Sequence, residues 1–174
     1  MRQLADADRI RRFMRGLSRE AAAPARVYFT GGATAVLYAW RDATIDVDIK
    51  IVPEHDRLFR AIADLKESLQ INVELAAPAD FIPVPSGWEE RSPFIAQEGP
   101  LGFHHFDLYA QALAKAERGH AQDLHDIREM LARGLVEVGK AVEYFGQIEP
   151  YLYRYPAIDP QTFRRAVEQM FRPS

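Results

Sequence analysis

The chain has no cysteine. Disulfides, thiolate zinc sites and cysteine nucleophiles are therefore excluded, and the absence fits a reducing compartment such as the cytoplasm. Lysine is scarce as well, with four lysines against eighteen arginines. No stretch approaches the roughly eighteen apolar residues of a membrane-spanning helix, and the charged first twenty residues lack a signal-peptide core. A cytoplasmic protein without a membrane partner is the expectation. Ser86 and Ser92 sit in no nucleophile elbow, so serine-hydrolase chemistry has no support. His55, His104, His105, His120 and His125 never stand four apart on one helix, so a zinc helix motif is missing too. His105 and Asp107 share one side of a strand, which leaves a metal or acid–base role as the minor alternative to polar surface.

Hydrophobic residues make up 48% of the 174 positions, enough to bury a core. The net charge of −3 argues against a large nucleic-acid footprint. The charge is uneven, however, because Arg2, Arg9, Arg11, Arg12, Arg15 and Arg19 crowd the first twenty positions. Ile10, Phe13, Met14 and Leu17 follow i, i+3, i+4, i+7 spacing there, which predicts an amphipathic helix with a basic outer face. That face reads as a solvated surface or as a contact for RNA or an acidic partner.

The following order is α-β-α-β-α-β over the first eighty residues. Residues 26–30 predict a strand, 32–41 a short helix, 44–52 a strand, 54–69 a helix and 71–76 a strand. Proline-rich 80–102 predicts loops around two edge strands at 88–95 and 101–106. Helices are expected at 107–118, 121–133, 136–151 and 160–171. The fold class is α+β, a small mixed sheet with a C-terminal helical bundle. The expected division is a core with its N-terminal helix over 1–106 and a helical region over 107–174.

Within this order, Gly31-Gly32 precedes a short helix and Asp46-Val47-Asp48 follows in an apolar strand. Residues two apart in a strand share a face, so Asp46 and Asp48 should sit side by side, with Ile45, Val47 and Ile49 pointing the other way. Adjacent carboxylates repel near a core, and a divalent cation with hard oxygen ligands relieves them. The double glycine lets backbone N–H groups approach an anion. A third carboxylate is expected from the next strand, where Glu74 is the candidate and Asn72, on the same face, is a weaker ligand or orienter. Arg41 either caps the short helix or reaches the phosphates. Lys115 and Arg118 share a helix face as phosphate partners or ordinary surface. Asp123 is a site acid or a helix cap, and Asp126 pairs with Arg118. Trp40, Phe81, Trp88, Tyr151, Tyr153 and Tyr155 read as packing residues rather than base-stacking platforms.

The pattern Gly31-Gly32, eight residues, Arg41, four residues, Asp46-Val47-Asp48 resembles the signature of the nucleotidyltransferase superfamily, with its DNA polymerase beta-like fold. More narrowly it resembles small bacterial nucleotidyltransferases related to abortive-infection toxins. The stretch Leu113 to Gly119 followed by Gln122-Asp123-Leu124-His125-Asp126-Ile127 agrees with it, and the resemblance covers Val27 to Leu131. It implies a minimal nucleotidyltransferase fold. Asp46, Asp48 and Glu74 would be catalytic and bind Mg²⁺ or Mn²⁺. Gly31, Gly32, Thr34, Arg41, Lys115, Arg118 and Asp123 would hold a nucleoside triphosphate (NTP). The implied reaction moves a nucleoside monophosphate from an NTP to an RNA, such as tRNA, or to a protein or small-molecule acceptor. A toxin–antitoxin setting with a partner antitoxin is also implied. Two departures stand out. The usual Gly-Ser is Gly-Gly here, with Thr34 the nearest hydroxyl, and the third carboxylate is Glu rather than Asp. The first departure motivates an alternative, a non-catalytic nucleotide-binding or protein-interaction module of the same fold.

Overall fold

The computed structural model describes residues 2–173, which form two compact units. The first unit runs up to Ala77 and takes in Ser92–Phe106; the second comprises Pro78–Arg91 and the chain from Asp107 onward.

In the first unit, β1 (Ala5–Asp6) leads into α1 (Ala7–Glu20). Asp6 caps α1, its carboxylate accepting from Arg9 N at 2.9 Å. β2 (Ala25–Thr30), α2 (Gly32–Leu37), β3 (Ala43–Thr44), β4 (Asp46–Val52), α3 (Asp56–Leu69) and β5 (Asn72–Leu75) follow. The segment ending at Phe106 adds β6 (Phe94–Glu98) and β7 (Leu101–His105).

Five strands form one mixed sheet in the order β5-β4-β2-β7-β6, while β1 pairs with β3 apart from it. β2 is antiparallel to β4 and parallel to β7, and β4 is parallel to β5. Alternation along β4 buries Val47, Ile49 and Ile51 and leaves Asp46, Asp48 and Lys50 half-buried. The apolar residues join Val27, Phe29, Val73 and Phe103 in the core with Ile10, Phe13, Met14 and Leu17 of α1 and Leu58 and Ile62 of α3. Phe29 stacks on Phe103 at 5.9 Å and meets the edge of Phe13 at 6.4 Å. The helical spacing read along the first twenty residues is thus the side of α1 that enters the core.

Four details differ from expectation. The second helix stops at Leu37, four residues short of Arg41. Ala39 adopts φ 68°, Ala39 N donates to Val36 O and Trp40 N donates to Ala35 O, which together make a Schellman stop. Arg41 therefore lies in the loop beyond the helix rather than at its end. The strand at 44–52 is broken at Ile45, because Thr44 pairs with Ala5 in the small sheet while the chain from Asp46 onward pairs in the large one. Ile45 does not join Val47 and Ile49 in the core but is 71% exposed. Residues 88–91 form a helical turn, α4 (Trp88–Arg91), after Gly87 at φ 82°, so the strand in that region begins only at Phe94. β7 is no edge strand: it lies between β2 and β6, with Leu101 and Phe103 fully buried.

The second unit is helical: α5 (Leu108–Arg118), α6 (Ala121–Ala132), α7 (Val138–Ile148) and α8 (Pro160–Met170), with a 3₁₀ segment at Glu149–Arg154. Phe145 packs edge-on to Phe163 at 4.9 Å. Asp107 caps α5 and pairs with Arg91 at 3.0 Å, which ties the α4 segment to the start of α5. Among the described residues no helix is long and apolar enough to cross a membrane.

Candidate active site

The register of the large sheet assembles the acidic face. Thr30, the last residue of β2, stands opposite Asp48, and Asp48 in turn stands opposite Glu74 of β5. Asp46 is opposite Asn72. Cross-strand partners project to the same side, so Asp46, Asp48, Asn72 and Glu74 share the face opposite the apolar core. Asn72 Nδ2 donates to Asp46 Oδ1 at 2.6 Å and to Glu74 Oε1 at 3.2 Å. It therefore bridges the Asp46 and Glu74 carboxylates.

Gly31 follows Thr30 directly, so the strand that pairs with Asp48 also delivers the glycine turn beside it. Gly31 has φ 61° and ψ −131°, a conformation that a side chain makes costly. A Cβ there would stand 3.2 Å from Asp48 Oδ2. At Gly32 a Cβ would lie 2.6 Å from Thr44 Cβ and 2.9 Å from Arg41 Nη1. Both glycines thus allow close approach, the first to a carboxylate and the second to a half-buried guanidinium. Turn, carboxylate pair and arginine lie together in the first unit.

Thr34 is placed differently. It is fully buried, and its Oγ1 lies 3.0 Å from His105 Nδ1 and 3.4 Å from Phe29 O. The hydroxyl therefore braces α2 against β7. His105 also stacks on Tyr38 at 4.5 Å, and Tyr38 stacks on Trp40 at 5.8 Å. Burial, with a smaller contribution from neighbouring His104, pushes the His105 imidazole down to about 4, so it is neutral near pH 7. Burial pushes the Tyr38 hydroxyl up. Nothing in the spacing of the sequence signals this ring column, because His105 lies far along the chain from Tyr38 and Trp40.

Lys115, Arg118 and Asp123 come together in the second unit. Lys115 Nζ is 2.8 Å from Asp126 Oδ2 and 3.8 Å from Asp123 Oδ1. Arg118 grips Asp123 with two contacts, at 2.6 and 2.8 Å, and His120 N donates to the same carboxylate at 3.1 Å. Asp126 thus pairs closely with Lys115. Burial would raise the Asp123 carboxyl, but the Arg118 hydrogen bond and the Arg118 and Lys115 charges hold it below the usual carboxylate range. Lys115, Asp123 and Asp126 are all buried. This arrangement locks α5 to α6 across the Gly119 turn.

A family described as "Nucleotidyltransferase of unknown function (DUF6036)" matches residues 7–159. The chain belongs to this family. The α+β class and the mixed sheet accord with that membership. Within this nucleotidyltransferase the match spans the glycine turn, the acidic face and the α5–α6 pair. Comparisons with curated proteins and with solved structures give no match.

Among the described residues no group of three or more His, Asp or Glu side chains gathers as a metal-binding cluster. The donors beside the turn nevertheless fit a magnesium-like ion. Mg²⁺ binds through one or two carboxylates and completes its shell with water and substrate phosphate oxygens. Asp46 and Asp48 supply two such oxygen donors on one face, with one carboxylate aligned by Asn72 and the other packed on Gly31.

Proposed function

We propose that this nucleotidyltransferase transfers a nucleoside monophosphate from an NTP to an acceptor hydroxyl with a divalent cation held by Asp46 and Asp48. The observation that carries the reading is the contact of the Asp48 carboxylate with the glycine turn at Gly31. A cation and a triphosphate on those two elements would be immediate neighbours.

Each residue has a task in this reading. The open backbone of Gly31 and Gly32 admits phosphate oxygens, and the Arg41 guanidinium beside Gly32 supplies a fixed positive charge to them. Asn72 keeps Asp46 aimed at the shared face. Glu74, exposed and in register with Asp48, accepts the acceptor's proton rather than binding the cation. A bound cation would polarise the reacting phosphoryl oxygens and offset charge on the leaving pyrophosphate. The bond between the α-phosphorus and the bridging oxygen breaks, and a bond from the acceptor oxygen to the α-phosphorus forms. Lys115, Arg118 and Asp123 serve this reading as the internal brace of the helical unit.

The test is transfer of labelled nucleotide in the presence of Mg²⁺. Asp46→Ala and Asp48→Ala should each abolish it, and unchanged turnover in both would end the reading. One observation favours a second reading. The Thr34 hydroxyl is engaged by His105, so this nearest stand-in for the usual serine is committed elsewhere. A nucleotide-binding module without turnover would follow, and calorimetry showing tight NTP binding with no product would select it.

A further inference from the structure

We propose that Lys50, supported by Arg26, holds a phosphate carried by the acceptor, so that the hydroxyl taking the nucleotide belongs to an already phosphorylated compound. The assignment rests on the transfer reading and extends it to the second substrate. The sheet register lays out the carboxylate-bearing face in successive bands. Glu74, Asp48 and Thr30 make one band across three strands. Two residues farther along β4 stands Lys50, opposite Tyr28 of β2, with His104 of β7 on the other side of Tyr28. Arg26 is the diagonal neighbour of Lys50 on the same face, about 7–8 Å away. Burial pushes the His104 imidazole down, the Ser92 carbonyl pushes it up, and the Arg26 charge pushes it down again. Arg26 therefore acts on this side of the sheet.

Lys50 is half-buried and makes no hydrogen bond or ion pair among the described residues. Asp48 lies two residues away on the same strand and Glu74 on the diagonal, yet neither pairs with it. The ammonium is thus partly stripped of water with no counter-charge in contact, which an anion from a ligand would supply. Position decides which ligand. Gly31 continues β2 past Thr30, so the glycine turn and Lys50 lie on opposite sides of Asp48 along the strands. Transfer is an in-line displacement, with the leaving and attacking oxygens on opposite sides of the phosphorus. With the leaving end of the triphosphate at the turn and Arg41, the acceptor approaches from the Lys50 side, where Glu74 takes its proton. Two strand residues span about 6.6 Å, which sets the spacing between a hydroxyl at the cation and an anion at Lys50. One sugar ring separates a hydroxyl from a phosphate by a distance of that order. Two cations, one of them a guanidinium, suit a phosphate better than a single-charged group.

Ligand-observed NMR on the full chain, loaded with Mg²⁺ and a non-hydrolysable NTP analogue, compares ribose, ribose 5-phosphate and a dinucleoside monophosphate. The wild type should bind at least one phosphorylated probe about tenfold tighter than ribose, the worth of one charge-assisted contact. Lys50→Met should remove that preference without altering affinity for the analogue, and Lys50→Arg should keep most of it. The tighter of the two phosphorylated probes then names a monoester or a polynucleotide end as the source. Equal binding of all three probes, or the same preference in the wild type and Lys50→Met, would overturn the proposal. Loss of the NTP analogue by Lys50→Met would also overturn it, by putting Lys50 on the triphosphate. A wild-type chain that does not hold the analogue with Mg²⁺ would mark failure of the transfer reading itself and take this assignment with it. That result is distinct from holding the analogue and ignoring the phosphorylated probes.

Discussion

The Asp48 carboxylate rests on Gly31, so closely that a Cβ there would lie 3.2 Å from Oδ2. Gly31→Ala should therefore act twice. The backbone at φ 61° penalises a side chain by about 1–3 kcal/mol, and the new methyl presses on the carboxylate. A fall of several degrees in Tm is expected by calorimetry, with loss of transfer activity beyond what the unfolded fraction explains. A variant as stable and as active as the wild type would contradict the close approach.

Asn72 holds Asp46 without being a strong ligand itself. Asn72→Ala should weaken cation affinity or activity by about 10–100-fold, the usual effect of losing the partner that orients a ligand. Its unfolding free energy should stay within about 0.5 kcal/mol of the wild type, since the residue is at a half-exposed edge. Titration with Mn²⁺ on folded protein reads the first quantity and a thermal scan the second.

Lys115 and Asp126 form a buried ion pair, so truncating one removes the close counter-charge of the other. Lys115→Met should destabilise the fold by about 3–5 kcal/mol, and adding Asp126→Leu should return much of that loss. Chemical denaturation of the two single variants and the double variant completes the cycle. A Lys115→Met protein of unchanged stability but reduced nucleotide affinity would instead make Lys115 a phosphate ligand.

His105 gives the fold a pH dependence. Its folded value of about 4 lies below the unfolded 6.5, so between those values the unfolded chain binds the extra proton. Stability contributed by neutral His105 is complete above pH 6.5 and is lost as pH falls toward 4, to about 3 kcal/mol in all. Denaturant melts from pH 7 to pH 4 should show this decline. His105→Asn should flatten that part of the profile; an unaltered slope would exclude His105 as its source.

Much of the first unit was legible because a single periodicity governs each element. Alternation in Asp46–Ile51 and the 3.6-residue repeat of Ile10, Phe13, Met14 and Leu17 each name a face without reference to anything distant. The short link through α3 also made Glu74 a neighbour of Asp48, and the β4–β5 pairing has them in register. What escaped depended on long-range partners. Ile45 is apolar and in phase, yet exposed, because the change of sheet partner between Thr44 and Asp46 cannot be seen locally. The end of α2 turned on Ala39 at positive φ, where glycine is the residue that would have announced the stop. The commitment of Thr34 to His105 joins residues 71 positions apart. Lys115 and Asp123 carry the right chemistry for a phosphate site and equally for a buried brace, and their spacing along the chain does not separate the two.

The most direct check on the account is Mn²⁺ binding followed by electron paramagnetic resonance, with a non-hydrolysable NTP analogue present. Wild-type protein should hold the ion in a nucleotide-dependent way, while Asp46→Asn and Asp48→Asn should each lose it and remain folded. Retention of the same nucleotide-dependent signal by both variants would contradict the assignment of the cation to this carboxylate pair.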